Sequence, residues 1–301
     1  MALALDATTL GDRFVVLVIS VLYRGCAIPV AWVVLEAGKK QAWRREWLRL
    51  LWQLKPAVPR GLTVIVLADR GLYARWLFRR IVRLRWHPCL RINNGGTFRP
   101  EGSPLYCPLT SLVPEVDTQW SDRGTAFKGR ERQLACTLLA RWDAGHKDPW
   151  LILTDLPPET SDASWYGLQA WIEQGFKVTK RAGWQWQRTR MSDPGRASRL
   201  WLAVAVATLW LLSVGGEADE AVPVGTLEDV TGLWSPKHRN RRETRLRLVS
   251  VFRRGWLRLL VAMIRQEPLP EGRFVPEAWP RASELVEEKV IEAAEALFEA
   301  A

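Results

Sequence analysis

Histidine and cysteine are scarce in this chain. Its 301 residues hold three histidines (His87, His146, His238) and four cysteines (Cys26, Cys89, Cys107, Cys136). No CxxC or HxxxH occurs, which argues against the common zinc spacings and against a disulfide framework. Scattered thiols suit a reducing, intracellular setting. Lysine is scarce too: nine of the 43 basic residues are lysine and 34 are arginine. Long apolar runs are missing. The longest uncharged stretch, residues 200–216, has 17 residues between Arg199 and Glu217, just short of a spanning helix. It reads as a buried core helix, with membrane association a third-ranked alternative. No basic stretch precedes the opening apolar residues, and Asp6 interrupts them, so no signal peptide is expected.

What is present is globular. Hydrophobic residues make up 48% and charged residues 25%, which excludes wholesale disorder and a fibrous repeat. The formal charge is +11 and the pI about 9.9, a surplus that favours a polyanionic partner. Arginine forks suit phosphate oxygens, although a GC-rich genome explains an arginine bias equally well. The 18 tryptophans read mostly as core or amphipathic-face residues, with a few available to stack on bases.

Residues 2–8 (ALALDAT) read as a short strand, and residues 13–23 and 27–35, apolar and rich in β-branched side chains, as two further strands forming a hairpin. Residues 41–54 place Trp43, Trp47, Leu50, Leu51 and Leu54 at helical spacing, with arginines on the other face. The run LTVIVLAD (62–69) suits a strand buried on both faces. A basic helix over 73–86 follows, ended by Pro88, and CLRIN (89–93) is a fifth strand. Composition then turns to Gly, Pro, Thr and Asp, with strand-like pieces such as QLACTLLARW, as in an inserted, mostly β subdomain over 94–160. PWLILTDL (149–156) restores regular order. Helices follow over 162–175 and 193–214, the latter opened by Asp193-Pro194. Residues 225–245 read as a basic loop, 246–265 as a basic helix and 282–300 as an acidic one. The order β-β-β-α-β-α-β, insertion, helices is the layout of an RNase H-like α/β fold. The expected division is 1–93 and 161–220 for the core, 94–160 for the insertion and 221–301 for a helical C-terminal region.

Three acids stand out in that layout. Asp6 lies inside the first strand, Asp69 ends the fourth, and Glu173 sits on a helix after the insertion. In an RNase H-like sheet the first and fourth strands are neighbours, so these acids can converge. Crowded carboxylates repel one another and resist desolvation, and a bound cation offsets both. Mg²⁺ takes oxygen ligands. Two such ions about 4 Å apart suit phosphodiester displacement. Taken singly, each acid has a bland reading as a turn, cap or solvated residue. Asp6, in an apolar strand, fits that reading least well.

ALDAT around Asp6, LADRGLY around Asp69 and the block from Tyr166 to Lys180 resemble the DDE transposases of bacterial insertion sequences, in the branch marked by a Y-(2)-R-(3)-E-(6)-K signature. Tyr166 fills the tyrosine place, Gln169 the arginine place, Glu173 the acid and Lys180 the lysine. Residues 191–212 resemble the helix after the signature, and the likeness covers roughly residues 1–265. It implies that Asp6, Asp69 and Glu173 are the catalytic acids and hold Mg²⁺, or Mn²⁺ in its place, as two ions. It implies water attack on a phosphodiester at the element's end, then attack by the freed 3′-hydroxyl on another strand. It also implies phosphate contacts from Tyr166 and Lys180, a DNA partner at transposon ends and target, homodimer assembly on DNA, and a bacterial cytoplasmic, nucleoid-associated location without a membrane.

Two departures temper the likeness. Gln169 keeps hydrogen bonding but lacks the charged fork of arginine, which bears on DNA grip and not on metal binding. Asp6 stands close to the first residue, so the N-terminal recognition region of such transposases is expected to be missing. Arg70 is left between a DNA contact and a pair with a neighbouring carboxylate. RAGWQWQRTR (181–190) suits DNA backbone and bases or an amphipathic strand, and Trp120, Trp142 and Trp150 are candidates for stabilising a flipped base. The main alternative is a non-catalytic, DNA-binding remnant of a transposase.

Overall fold

A computed structural model describes residues 1–38, 43–220 and 249–275. The fold is mixed α/β, built on a large mixed sheet. Strands β1 (Ala2–Leu10), β2 (Phe14–Tyr23) and β3 (Cys26–Glu36) come first, then helix α1 (Arg44–Leu54), β4 (Ile65–Ala68), α2 (Arg75–Arg83) and β5 (His87–Arg91). Strands β6 (Thr97–Pro100), β7 (Cys107–Pro108), β8 (Thr118–Ala126), β9 (Leu134–Trp142) and β10 (Trp150–Thr154) follow. All ten join one sheet in the order β3-β2-β1-β4-β5-β10-β9-β8-β6-β7. Residues 94–160 thus contribute β6 to β10 to the sheet that β1 to β5 begin. β1 and β2 are antiparallel, whereas β1, β4 and β5 run parallel. β10 returns antiparallel against β5.

Alternation along the strands sorts the two faces. Leu3 and Leu5 of β1, Leu17 and Ile19 of β2, and Val66 and Ala68 of β4 share a core with Trp47, Leu50, Leu51 and Leu54 of α1 and with Leu77, Phe78 and Ile81 of α2. Both helices therefore cover one face. Ala4, Val16, Val18, Ile65 and Leu67 are buried in the opposite phase, because successive side chains point to opposite faces of a strand.

Several helical boundaries differ from expectation. Pro88 does not end α2; it lies in β5. The helix stops at Arg85, which adopts φ 60°. Its N–H bonds to the Val82 carbonyl at 2.8 Å, and the Trp86 N–H bonds to the Ile81 carbonyl at 3.2 Å. That is a Schellman end with arginine where glycine is commonest. The helix expected over 162–175 has three successive pitches. Asp162 caps Ser164, residues Ala163–Gln169 form a 3₁₀ stretch, α3 runs Ala170–Lys177, and a π-turn covers Val178–Ala182. Residues 181–190 form neither a strand nor a long helix: a 3₁₀ turn spans Trp186–Arg188, and buried Trp186 stacks on Phe14 with centroids 6.4 Å apart. Helix α4 (Pro194–Glu220) outruns its expected end, and Asp193 Oδ1 accepts from Arg196 N–H at its start.

By contact density, the chain divides into two compact units. One comprises residues 1–22 and 29–200 and carries the sheet and α1 to α3. The other comprises 23–28 and the chain from 201 onward. In it, α4 and helix α5 (Val251–Arg265) pack through Gly215 and Gly255, where any Cβ would collide with the Val251 or the Leu211 carbonyl. Arg24, in the left-handed region at the β2–β3 turn, is buried there and binds Asp219 and Glu220, each at 2.9 Å. Among the described residues α4 is the one helix long and apolar enough to cross a membrane, and 50% of its apolar window is buried inside the fold. The basic run of 225–245, the first residues of the expected helix over 246–265 and the acidic helix over 282–300 lie outside the described residues.

Candidate active site

Strand register brings the first two acids together. β1 and β4 are parallel with Leu5 opposite Ala68, so the next residues, Asp6 in the middle of β1 and Asp69 just past the end of β4, lie side by side. β4 and β5 are parallel with Ala68 opposite Leu90, which puts Arg91 next in the row. Asp6 continues the phase of Ala4, and Asp69 that of Leu67. Both carboxylates therefore face away from the α1–α2 layer.

Each carboxylate is fastened to its own backbone. Asp6 Oδ1 accepts from the Ala7 N–H at 2.7 Å, and Asp69 Oδ1 from the Leu72 N–H at 3.0 Å. The turn after β4 leaves room for this because residue 71 is glycine: a Cβ there would stand 3.3 Å from both oxygens of Asp69. Glu173 is exposed on α3, which packs against β1. Its charge reaches Asp6. Burial, followed by the charges of Asp69 and Glu173, raises the Asp6 pKa to about 7, against the pull of the Ala7 N–H and of Lys180. Lys180 is half-buried on the π-turn; desolvation and Arg181 lower its pKa while Asp6 opposes the shift. Asp6 is thus where three acids and one lysine act on one another.

The other expected residues sit less openly. Tyr166 is 7% exposed and Gln169 5%. In a 3₁₀ stretch, side chains three apart eclipse, so both turn into the sheet. Gln169 Nε2 donates to the Leu5 carbonyl at 3.4 Å, and its Oε1 is buried without a hydrogen-bond partner. The Tyr166 ring meets Trp150 edge-on at 5.3 Å and lies under the Arg91 guanidinium at 5.6 Å. Burial raises its phenol pKa; Arg91 opposes that shift and Asp69 adds to it. Arg70 is exposed and pairs with Asp148 at 3.7 Å. Of the candidate tryptophans, Trp150 touches Tyr166, Trp120 packs edge-on against Phe98, and Trp142 Nε1 donates to the His146 carbonyl.

Arg91 is the residue that sequence reasoning missed. The signal was available in CLRIN: a parallel strand beside the one ending in Asp69 must end next to it. Burial pushes the Cys89 thiol up to about 12, with Asp162 adding to the effect, and the Cys136 thiol likewise to about 12. Neither supplies a thiolate near neutral pH.

Asp6, Asp69 and Glu173 offer only carboxylate oxygens, the donor type that Mg²⁺ and Mn²⁺ take. Their donor chemistry fits a divalent cation, and the strain on Asp6 is what such a charge would relieve. Among the described residues no three His, Cys, Asp or Glu side chains stand close enough together to hold one ion.

No curated protein matches the chain. Residues 11–210 match the family model of the transposase DDE domain. The matched span contains Asp69, Glu173, Tyr166, Gln169 and Lys180, and begins shortly after Asp6. It covers two thirds of the sequence and every strand from β2 to β10, and the chain therefore belongs to the transposase DDE domain family.

Proposed function

We propose that this chain is an insertion-sequence transposase of the branch with the Y-R-E-K signature, cutting and joining DNA through Asp6, Asp69 and Glu173 on an RNase H-like core. The observation that carries the reading is that the register of adjacent parallel strands β1 and β4 brings Asp6 and Asp69 side by side, with the Glu173 charge bearing on Asp6. The strand order 3-2-1-4-5 supports the RNase H-like assignment, with residues 94–160 elaborating the same sheet.

In this reading Asp6, Asp69 and Glu173 hold Mg²⁺, probed with Mn²⁺, as two ions. When bound, these supply Lewis-acid activation of a water or 3′-hydroxyl and charge neutralisation at the leaving oxygen. The chain's own groups do the rest. The Ala7 and Leu72 N–H groups fix the carboxylates of Asp6 and Asp69, and Gly71 leaves space for Asp69. Lys180 sets a positive charge beside Asp6, suited to a phosphate. Arg91 provides a guanidinium near the acids, a role position 169 does not fill. Gln169 supports the Leu5 carbonyl beside Asp6, and Tyr166 packs the floor beneath Arg91. Arg70 reaches DNA only by leaving Asp148. The location is cytoplasmic, on DNA.

A second reading, a DNA-binding remnant without catalysis, is favoured by one observation: the acids as placed do not meet around a single point. Supercoiled plasmid incubated with Mn²⁺ and the purified chain, beside Asp69→Ala, separates the two. Nicking by the parent alone supports the transposase. Binding without nicking by either protein supports the remnant.

A further inference from the structure

Residues 44–85 are strongly basic. They hold eleven lysines and arginines against two acids, Glu46 and Asp69, a net +9. This segment contains α1 and α2, whose apolar sides are committed to the core below them. Their outer sides carry Arg44, Arg45, Arg49, Arg79 and Arg83, and Arg85 follows at the end of α2; all six are exposed. None of the six makes an ion pair among the described residues; Arg44 lies over the Trp76 ring at 5.7 Å, which ties the two helices together. Arg45 and Arg49 are one turn apart on α1, and Arg79 and Arg83 one turn apart on α2. That spacing gives two rows of guanidinium groups with about 6 Å of rise between members. Like charges so crowded repel one another unless an anion lies across them.

We propose that this α1–α2 face is a second DNA-contact surface, which grips the phosphate backbone of a duplex other than the strand lying at Asp6 and Asp69. The separation follows from strand alternation: the two helices cover one face of the sheet and the acids point from the other. Phosphate is the anion that arginine forks match in rows. A lipid surface fits less well, because the apolar sides of both helices are already buried and few large apolar groups (Trp52, Leu62, Val82) are exposed along the segment. The proposal rests on the DNA-acting reading above but not on catalysis.

The test measures binding of the full chain to a short random-sequence duplex by fluorescence anisotropy, in EDTA, between about 50 and 200 mM KCl. The variant replaces Arg45, Arg49, Arg79 and Arg83 by glutamine. Four lost phosphate contacts lower the slope of log K against log salt by about 3 to 4. The parent then loses about 10²-fold more affinity than the variant over that range. Replacing the same four residues by lysine keeps the charges and restores the slope, which separates electrostatics from a folding defect. An unchanged slope in the glutamine variant overturns the proposal. So does a slope lost equally in the lysine variant. Vesicles of phosphatidylcholine and phosphatidylglycerol form another arm. If the glutamine variant loses vesicle binding and keeps the duplex slope, the surface belongs to membrane and the proposal fails. Plasmid nicking with Mn²⁺ is scored separately: absent nicking with a lowered slope sinks the catalytic reading and leaves this surface standing.

Discussion

The two faces of the sheet in the larger unit carry opposite chemistry. Toward α1 and α2, β1 offers Leu3 and Leu5 to a closed apolar core, and charge appears only on the far side of the helices. Toward the other face, the same strand offers Ala4 and then Asp6, a carboxyl whose pKa burial lifts to about 7. One residue of register decides which face a side chain reaches. The helical face tolerates its arginines because most of their guanidinium groups reach water, although Arg80 Nε is buried. The acid face tolerates its carboxylates less easily, because Asp6 is partly desolvated beside two other acids. That cost is a reason to expect a cation there.

The largest effect expected is on the acid face. Asp69→Ala or Asp6→Asn lowers metal-dependent plasmid nicking by about 10³-fold or more, on the scale of losing a main electrostatic contributor. Activity within tenfold of the parent in either variant would remove the distinction between the faces. On the helical face the corresponding break is in packing. Trp47→Ala empties a site that is 1% exposed and costs about 3–5 kcal/mol, read from urea unfolding.

The pH dependence sharpens the contrast. The folded-state pKa of Asp6 is raised above its ordinary value of 3.8 to about 7. The folded protein therefore binds a proton there that the unfolded chain has released. Its contribution is fully present below about pH 4 and is lost as pH rises through 7. In EDTA, Asp6→Asn should be more stable than the parent by about 2–4 kcal/mol above pH 8, with the gap closing toward pH 4. Mn²⁺ should raise the parent's melting temperature more at pH 8 than at pH 6 and barely move the Asp6→Asn variant. A gap independent of pH would assign the stabilisation to something other than this carboxyl.

Two smaller effects test local geometry. Gly71→Ala sets a methyl against both oxygens of Asp69 and should cut nicking about tenfold at an almost unchanged melting temperature, since small misplacements are expensive in catalysis. Arg85→Gly relieves a left-handed residue at the end of α2 and should add about 0.5–1 kcal/mol of stability, seen as a later urea midpoint. The position of Gln169 changes what its replacement would do. An arginine there must bury its fork beside the Leu5 carbonyl or displace the 3₁₀ stretch. Gln169→Arg is thus expected to lower the melting temperature before any gain in DNA cleavage could be read, and Arg91→Ala to weaken cleavage more than Gln169→Ala.

Much of this was legible in the chain itself. β1 to β5 follow from apolar runs, β-branched in β2, β3 and β4, and α1 and α2 from apolar residues at helical spacing. Asp6 and Asp69 were visible because an acid in or ending an apolar strand is costly without a purpose. The 3₁₀ stretch and π-turn around α3 were not legible, because a 3.6-residue period cannot be told from slightly tighter or looser coils over so few residues. That difference turned Tyr166 and Gln169 inward. Pro88 misled in another way: a proline after a helix reads as its terminator, yet the Schellman end at Arg85 had already stopped α2.

The sequence by itself determined which residues are apolar, which are charged, and how they alternate along each strand and helix. These are properties of neighbours along the chain, set by side-chain chemistry and backbone period. Tertiary structure alone decided that Arg91 stands beside Asp69, that Arg70 meets Asp148, and that the exposed arginines of α1 and α2 lie on the face opposite the acids. Those facts depend on contacts between residues distant along the chain. Such contacts follow from burying the apolar faces of strands and helices together, a condition that no short stretch of sequence expresses.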